Sequence, residues 1–445
     1  MNRLFRFFSL SVSLSVSFNL YSQNHGEVYQ YARQIVDTLA SPSMHGRGYV
    51  KDGDKIAANY MEGQFQSWGL KSFTPHYRQE FHLNVNTFPG EGGKIGYRGT
   101  DQYFEEGQTV LTGCNSPPTP YTLSKIAWFD SATLHSPKNL KRFYKTDFHD
   151  KVLVIDPKGI TAKEDLKRME GMKENPVHAH AVVFFNNKRL MWDVAQDTAS
   201  FPSFELLIKD SDHDQLKNQF KEAGHFYYAV ESKLISNYPT QNLVGYIPGS
   251  VYPDSFLVFS AHYDHLGHLG QEVYFPGAND NASGCAMLLN LAKYFSMPEH
   301  KPACSIAFIA FGAEEAGLVG SKYFTEHPLF PLTRIKFLVN LDIMGTGDEG
   351  VTVVNGSIYP EAFKLLTGIN DRQHYLSQVK IRGKAANSDH YYFSEKGVPA
   401  LFIYTMGGIK AYHDIYDKAQ TLPLTKFEDV FHLLVDFEGL LEKPH

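Results

Sequence analysis

Residues 256–318 constrain the fold of this chain more than any other stretch. They read FLVFSAHYDHLG, then PGANDNASGCAMLLNLAKYF, then SIAFIAFGAEEAGL. The apolar runs at 256–259 and 306–311 are too short for globular helices and read as strands buried on both faces. Each stops at residues able to bind metal: His262 and Asp264 after the first, Glu314 and Glu315 after the second. Between them, 282–295 has helical spacing in Ala286, Leu289, Ala292 and Lys293, with Asp280 and Asn281 where its N-terminus falls. Acids and imidazoles at the carboxyl ends of buried strands mark the place where an open α/β sheet keeps its active site.

At 445 residues the chain exceeds one ordinary core, so two domains are expected. A hydrophobic share of 43% and a charged share of 20% exclude a disordered chain, and a net charge of −6 leaves no electrostatic footprint for nucleic acid. Arg3 and Arg6 precede an apolar, serine-interrupted run at 7–21, followed by polar Gln23 and Asn24. This is the outline of a secretory signal peptide over residues 1–22. The run is shorter than the roughly 20 residues of a spanning helix. The expectation is export, to the periplasm or outside the cell, with no stable membrane insertion once the signal is removed. Cys114, Cys285 and Cys304 cannot all pair, and the last two read as small buried hydrophobes.

Residues 28–70 carry two helical patterns joined by a Gly-rich turn, where Arg47 is expected to make a structural ion pair. From 90 to 236 the texture becomes short strands between Gly, Pro and Asp turns, as in TPYTLSKIAWFD and KVLVIDPKG, with one short amphipathic helix after LLIKD. His178 and His180 in this segment read as strand surface. The fold expected is α/β: a mixed open sheet flanked by helices, built from 25–89 and 237–445, with 90–236 as an inserted β-rich domain. Three more sheet candidates follow the central stretch: IKFLVNLD ending at Asp342, GVTVVNG, and VPALFIYTMGG before His413. An amphipathic helix closes the chain at 427–441.

His262, Asp280, Glu315, Asp342 and His413 offer two nitrogens and three carboxylates. One catalytic zinc needs three protein ligands. Five suit two zincs about 3.5–4 Å apart with one carboxylate bridging, which would hold a hydroxide and polarise a carbonyl. If Glu315 ligates, its neighbour Glu314 is free to act as general base. Asp264, two residues beyond His262, is placed to take the imidazole's other N–H. His265 and His268, which crowd the first ligand, read as loop residues.

Taken together, HYDHLG, GANDNASG, AFGAEEAGLVGS, LVNLDIMG and YHDIYD resemble the co-catalytic di-zinc aminopeptidases that include the secreted bacterial leucyl aminopeptidases. The β-rich segment is similar to the protease-associated domain that many members carry. The resemblance implies one Zn2+ on His262, Asp280 and Asp342, and a second on Asp280, Glu315 and His413, with Asp280 bridging. It implies Glu314 as general base and Asp264 as the acid that orients His262. Tyr412 matches a tyrosine whose hydroxyl can support the tetrahedral intermediate, a packed aromatic being the alternative, and Ser388-Asp389-His390 resembles the family's S-D-H. Peptides with a free amino terminus would be the substrates. A glutaminyl cyclase, and a carboxypeptidase or dipeptidase on the same scaffold, are the other enzymatic readings. Related receptor ectodomains lack metal, but they should have lost ligands, and none is missing here.

Overall fold

The computed structural model describes residues 26–100 and 102–442; the expected signal peptide lies outside the described residues. Four parallel strands form the centre of the sheet: Ala400–Thr405, Ile335–Leu341, Tyr252–His262 and Cys304–Phe311, in that spatial order. Val351–Val354 flanks one side antiparallel to Ala400–Thr405, with Val379–Ile381 beyond it, and the long strand His225–Ile247 flanks the other antiparallel to Cys304–Phe311.

Both faces of these strands are covered, which is why their sequences are continuous apolar runs rather than alternating ones. Leu257, Phe259 and Ala261 point with Ile306, Phe308 and Ala310 into a core shared with the helices Glu27–Leu39, Gly53–Ser67, Gly284–Ser296 and Phe427–Leu441. Phe256, Val258, Ala307, Ile309 and Phe311 point the other way, onto Phe324 and Phe393 of two short helices. Cys285 and Cys304 are buried and unpaired, as expected. The first strand of the four in chain order, Tyr252–His262, has the second on one side and the third on the other. The chain therefore reverses its direction of winding at the carboxyl end of this strand, where the crevice of an open α/β sheet opens. His262 is its last residue.

The sheet continues past His225–Ile247 into Thr119–Asp130, Lys151–Asp156, Ala181–Asn186 and Ser203–Leu207, all parallel to one another. Helices Pro137–Phe143, Lys163–Gly171 and His213–Ala223 accompany them. This segment is thus richer in helix than its sequence texture suggested. Lys163–Gly171 hides a single buried residue, Met169, so its apolar stripe is too thin to register as a helix period. Arg78–Tyr97 pairs along most of His225–Ile247, so positions 89–90 and 236–237 lie inside continuous strands. His178 is left-handed (φ 54°) and precedes the strand, and His180 Nδ1 meets the Tyr228 hydroxyl at 2.5 Å.

One buried carboxyl ties the helical and sheet layers together. Asp54, at 0% exposure, accepts hydrogen bonds from Tyr238 Oη (2.8 Å) and Thr240 Oγ1 (3.0 Å) of the long strand. Burial pushes it up to about 6, against the two hydroxyl bonds and Lys55, which pull it down. The folded state therefore keeps a proton that the unfolded chain has already released, so this group's stabilisation is full below pH 4 and is lost as pH rises through about 6. Asp54→Asn can accept from one hydroxyl and donate to the other at every pH. It is expected to be more stable than the parent at pH 8 by on the order of 2–3 kcal/mol, with little difference at pH 4. Urea denaturation at both pH values tests this; parallel profiles would refute it.

Candidate metal centre

The carboxyl ends of the four central strands bring five expected residues to one point. His262 ends its own strand, Asp342 follows Ile335–Leu341, and Glu315 lies in the turn after Cys304–Phe311. Asp280 precedes the helix Gly284–Ser296, and His413 comes from the loop after Ala400–Thr405.

His262 Nδ1 stands 3.2 Å from the carbonyl oxygen of Asp264, so it carries the hydrogen and Nε2 presents its lone pair inward. Nε2 lies 3.2 Å from Asp280 Oδ1 and 3.4 Å from Asp342 Oδ1. His413 repeats the pattern: Nε2 is 3.2 Å from Asp280 Oδ2 and 3.1 Å from Glu315 Oε2. The two oxygens of Asp280 thus face different histidines. Donor atoms of His262, Glu314 and Asp342 also lie within 4.8 Å of one another, as do those of His262, Asp280 and Glu315.

Bare nitrogens opposed by carboxylate oxygens at these distances would repel, so positive charge belongs between them: a proton on each Nε2 without a cation, or the cation itself. Asp342 Oδ1 is buried with no hydrogen-bond partner, although Oδ2 accepts from Ser388 Oγ at 2.9 Å. Burial lowers the histidines, but Glu314, Asp342 and Asp280 outweigh it at His262, and Glu315, Asp193 and Asp280 outweigh it at His413, so both are raised. Burial raises Asp280, yet its bonds to the two imidazoles hold it well below the carboxylate range; Glu315 is held at about 2, His413 overcoming burial. Asp342 is pushed up by burial. An orphaned oxygen, two inward imidazole nitrogens, three carboxylates and no thiolate fit divalent cation binding of the zinc type.

The loops that carry these groups are pinned from three directions. Gly277 is left-handed (φ 58°), and a Cβ there would stand 2.3 Å from Asp280 O and 2.6 Å from Arg47 Nη2. Arg47 is wholly buried and donates to the carbonyls of Leu39, Tyr263, Pro276, Gly277 and Asp280. The expected structural ion pair is replaced by five backbone oxygens, which lock the Asp280 loop to the N-terminal turn. Asp417 receives the N–H groups of Asn279 (2.8 Å) and Asp280 (2.9 Å). Neither role was legible in sequence, although Asp417 is the last residue of the YHDIYD string.

Asp264 differs from expectation in the atom it uses. The imidazole N–H goes to its backbone carbonyl, and Oδ1 stands 3.8 Å away. Its carboxylate instead accepts the N–H groups of Glu314 (3.1 Å) and Glu315 (3.3 Å). These two glutamates lie in a tight turn, closed by Gly317 N and Leu318 N on Glu314 O, and not on an extended strand. Their side chains nonetheless diverge, Glu315 toward His413 and His265, Glu314 toward His262 and Asp342. Withdrawal from water raises Glu314, Glu315 and Asp389 adding to the effect and His262 opposing it. His265 is no idle loop residue: fully buried, its Nδ1 meets Glu315 Oε1 at 2.6 Å. Tyr412 stacks on His413 at a ring distance of 4.0 Å and 15°.

Residues 242–437 match the model of Peptidase family M28. Over 213 residues the chain is 32% identical to aminopeptidase YwaD of Bacillus subtilis, which covers 46% of this chain and 42% of that protein. A probable zinc metalloprotease of Pyricularia oryzae is 33% identical over 129 residues, 28% of this chain and 25% of its own. The match thus spans less than half the length of these relatives. In fold, the chain is similar to the solved zinc aminopeptidase BSAP from Bacillus subtilis, with TM-score 0.66 and 20% identity over 94% of this chain and 95% of that one. It is also similar to a Peptidase M28 precursor from Shewanella amazonensis, with TM-score 0.67 and 16% identity over 94% and 96%.

Proposed function

We propose, from the match of residues 242–437 to the model of Peptidase family M28, that the protein is a zinc-dependent aminopeptidase that removes N-terminal residues from peptides. The observation that carries this reading is Asp280, whose two oxygens lie 3.2 Å from His262 Nε2 and 3.2 Å from His413 Nε2. In the proposal His262, Asp280 and Asp342 hold one zinc and Asp280, Glu315 and His413 the other. Zinc bound there would supply Lewis-acid polarisation of the scissile carbonyl and a lowered pKa for the attacking water.

The chain's own groups do the rest. Glu314 takes the proton from the attacking water and returns it to the leaving amine. Asp264 fixes the turn from which Glu314 projects, through the two backbone N–H groups it accepts. Tyr412 stacks on His413, and in this reading its hydroxyl supports the developing oxyanion. We assign 25–89 and 237–445 to the catalytic body and 90–236 to an inserted lobe of the protease-associated kind. Residues 1–22 serve in this reading as the export signal. Among the described residues no helix is long and apolar enough to cross a membrane.

An unblocked peptide beginning Gln-Leu, followed by mass spectrometry with and without a chelator, tests the assignment. Stepwise loss of N-terminal residues, abolished by the chelator and restored by zinc, is expected. Loss of ammonia from an otherwise intact peptide would make the protein a cyclase, and trimming from the other end a carboxypeptidase.

A further inference from the structure

Residues 189–196 of the inserted lobe reach the metal centre. Arg189 Nη1 donates to the Lys410 carbonyl, and Trp192 N donates to the His413 carbonyl at 2.9 Å. Gln196 Nε2 donates to the Ala316 carbonyl at 2.7 Å, one residue past Glu315. This segment therefore clasps the loop of one expected ligand and the turn of another. Its own conformation is fixed from behind. Trp192 is 5% exposed, stacks on Phe275 at 4.9 Å and 11°, and donates Nε1–H to the Thr112 carbonyl at 2.9 Å. Asn86 N donates to Ala195 O at 2.8 Å.

Between these anchors stands Asp193, whose Oδ1 accepts from His413 Nδ1 at 2.9 Å. A carboxylate can only accept, so this bond fixes the tautomer that leaves Nε2 free to face Asp280 and Glu315. His262 has no such side chain behind it; its Nδ1 rests on the backbone carbonyl of Asp264. The two halves of the centre are thus supported differently, one by the catalytic body itself and one by a side chain of the inserted lobe.

We propose that Asp193 is the positioning residue of His413, so that the inserted lobe sets the affinity of one metal of the pair. This rests on the metal-centre reading above. Loss of a carboxylate partner behind a ligating histidine lowers metal affinity by about 10–100-fold, and the loss should fall on one ion only. The lobe then does more than cover the site: the Glu315–His413 half is complete only when segment 189–196 is seated.

The test uses the full chain, stripped with a chelator and titrated with zinc against a chromophoric competitor. The parent is expected to take up two equivalents. Asp193→Ala should weaken one of them by about 10–100-fold and leave the other within about threefold. Asp193→Asn, whose amide oxygen still accepts from Nδ1, should recover part of the loss. Asp197→Ala, which removes an exposed carboxylate one residue beyond the segment, controls for charge and should bind as the parent does. The zinc-free forms should melt together, since a solvent-reached carboxylate adds little to the fold. Two parent-like equivalents in Asp193→Ala would overturn the proposal, as would unchanged zinc binding with only a raised KM, which would make Asp193 a contact for the substrate amine. A parent that takes up no zinc would overturn the metal-centre reading itself, a failure visible before any variant is made.

Discussion

Glu314→Gln is expected to lower kcat by about 10²–10⁴-fold while zinc content stays at the parental level. The amide keeps the size of the carboxylate but cannot take a proton from water. The turn that presents it does not depend on the side chain: Asp264 holds the backbone N–H groups of residues 314 and 315, and Gly317 and Leu318 donate to the Glu314 carbonyl. The proposed ligands also keep their own contacts, because Glu315 meets His413 and His265 while Glu314 projects toward His262 and Asp342. The loss corresponds to about 3–5 kcal/mol of barrier, the scale of one well-placed general base. Steady-state kinetics with a zinc assay on the same preparation separate the possibilities. Unchanged turnover removes Glu314 from the proton path; missing zinc would move it into the ligand set.

The central sheet was legible because two-sided burial leaves a mark that local physics cannot disguise. Short runs such as FLVF and IAFIAF meet no ionisable residue until the carboxyl end of the strand, and there stand His262 and the Glu314–Glu315 pair. Segment 90–236 was less legible, because two of its helices bury too little for a period of 3.6 to develop: Pro137–Phe143 buries only Phe143 and Lys163–Gly171 only Met169. The contacts that complete the site were not legible at all. Asp193 and His413 are 220 residues apart, and a lone aspartate after Met191 and Trp192 has nothing local to mark it. Arg47 misled for a related reason. An arginine in a turn invites a search for an acid, whereas a guanidinium carries five N–H groups that backbone carbonyls satisfy equally well. His265 was obscured by its neighbours, since HYDHLGH offers three imidazoles and only packing shows that the middle one meets Glu315.

Asp280→Ala is expected to empty both metal positions, where loss of any other proposed ligand should empty or weaken one. The asymmetry follows from geometry: only this carboxylate has an oxygen on each side, 3.2 Å from His262 Nε2 and 3.2 Å from His413 Nε2. Asp342→Ala should leave the Glu315–His413 half occupied. The loop itself should survive the change. Its seat depends on the backbone of Asp280, whose N–H goes to Asp417 and whose carbonyl accepts from Arg47, and alanine retains both. Melting of the parent and Asp280→Ala in excess chelator should therefore differ little, while zinc should raise the melting temperature of the parent alone. Activity should fall by about 10³-fold or more, since the Lewis-acid contribution of several kcal/mol disappears with the metals. Full zinc occupancy in this variant would mean that Asp280 is not the bridge. The five groups at the strand ends would then have to be divided differently, with Glu314, whose oxygen already lies near His262 and Asp342, as the first residue to reconsider as a ligand.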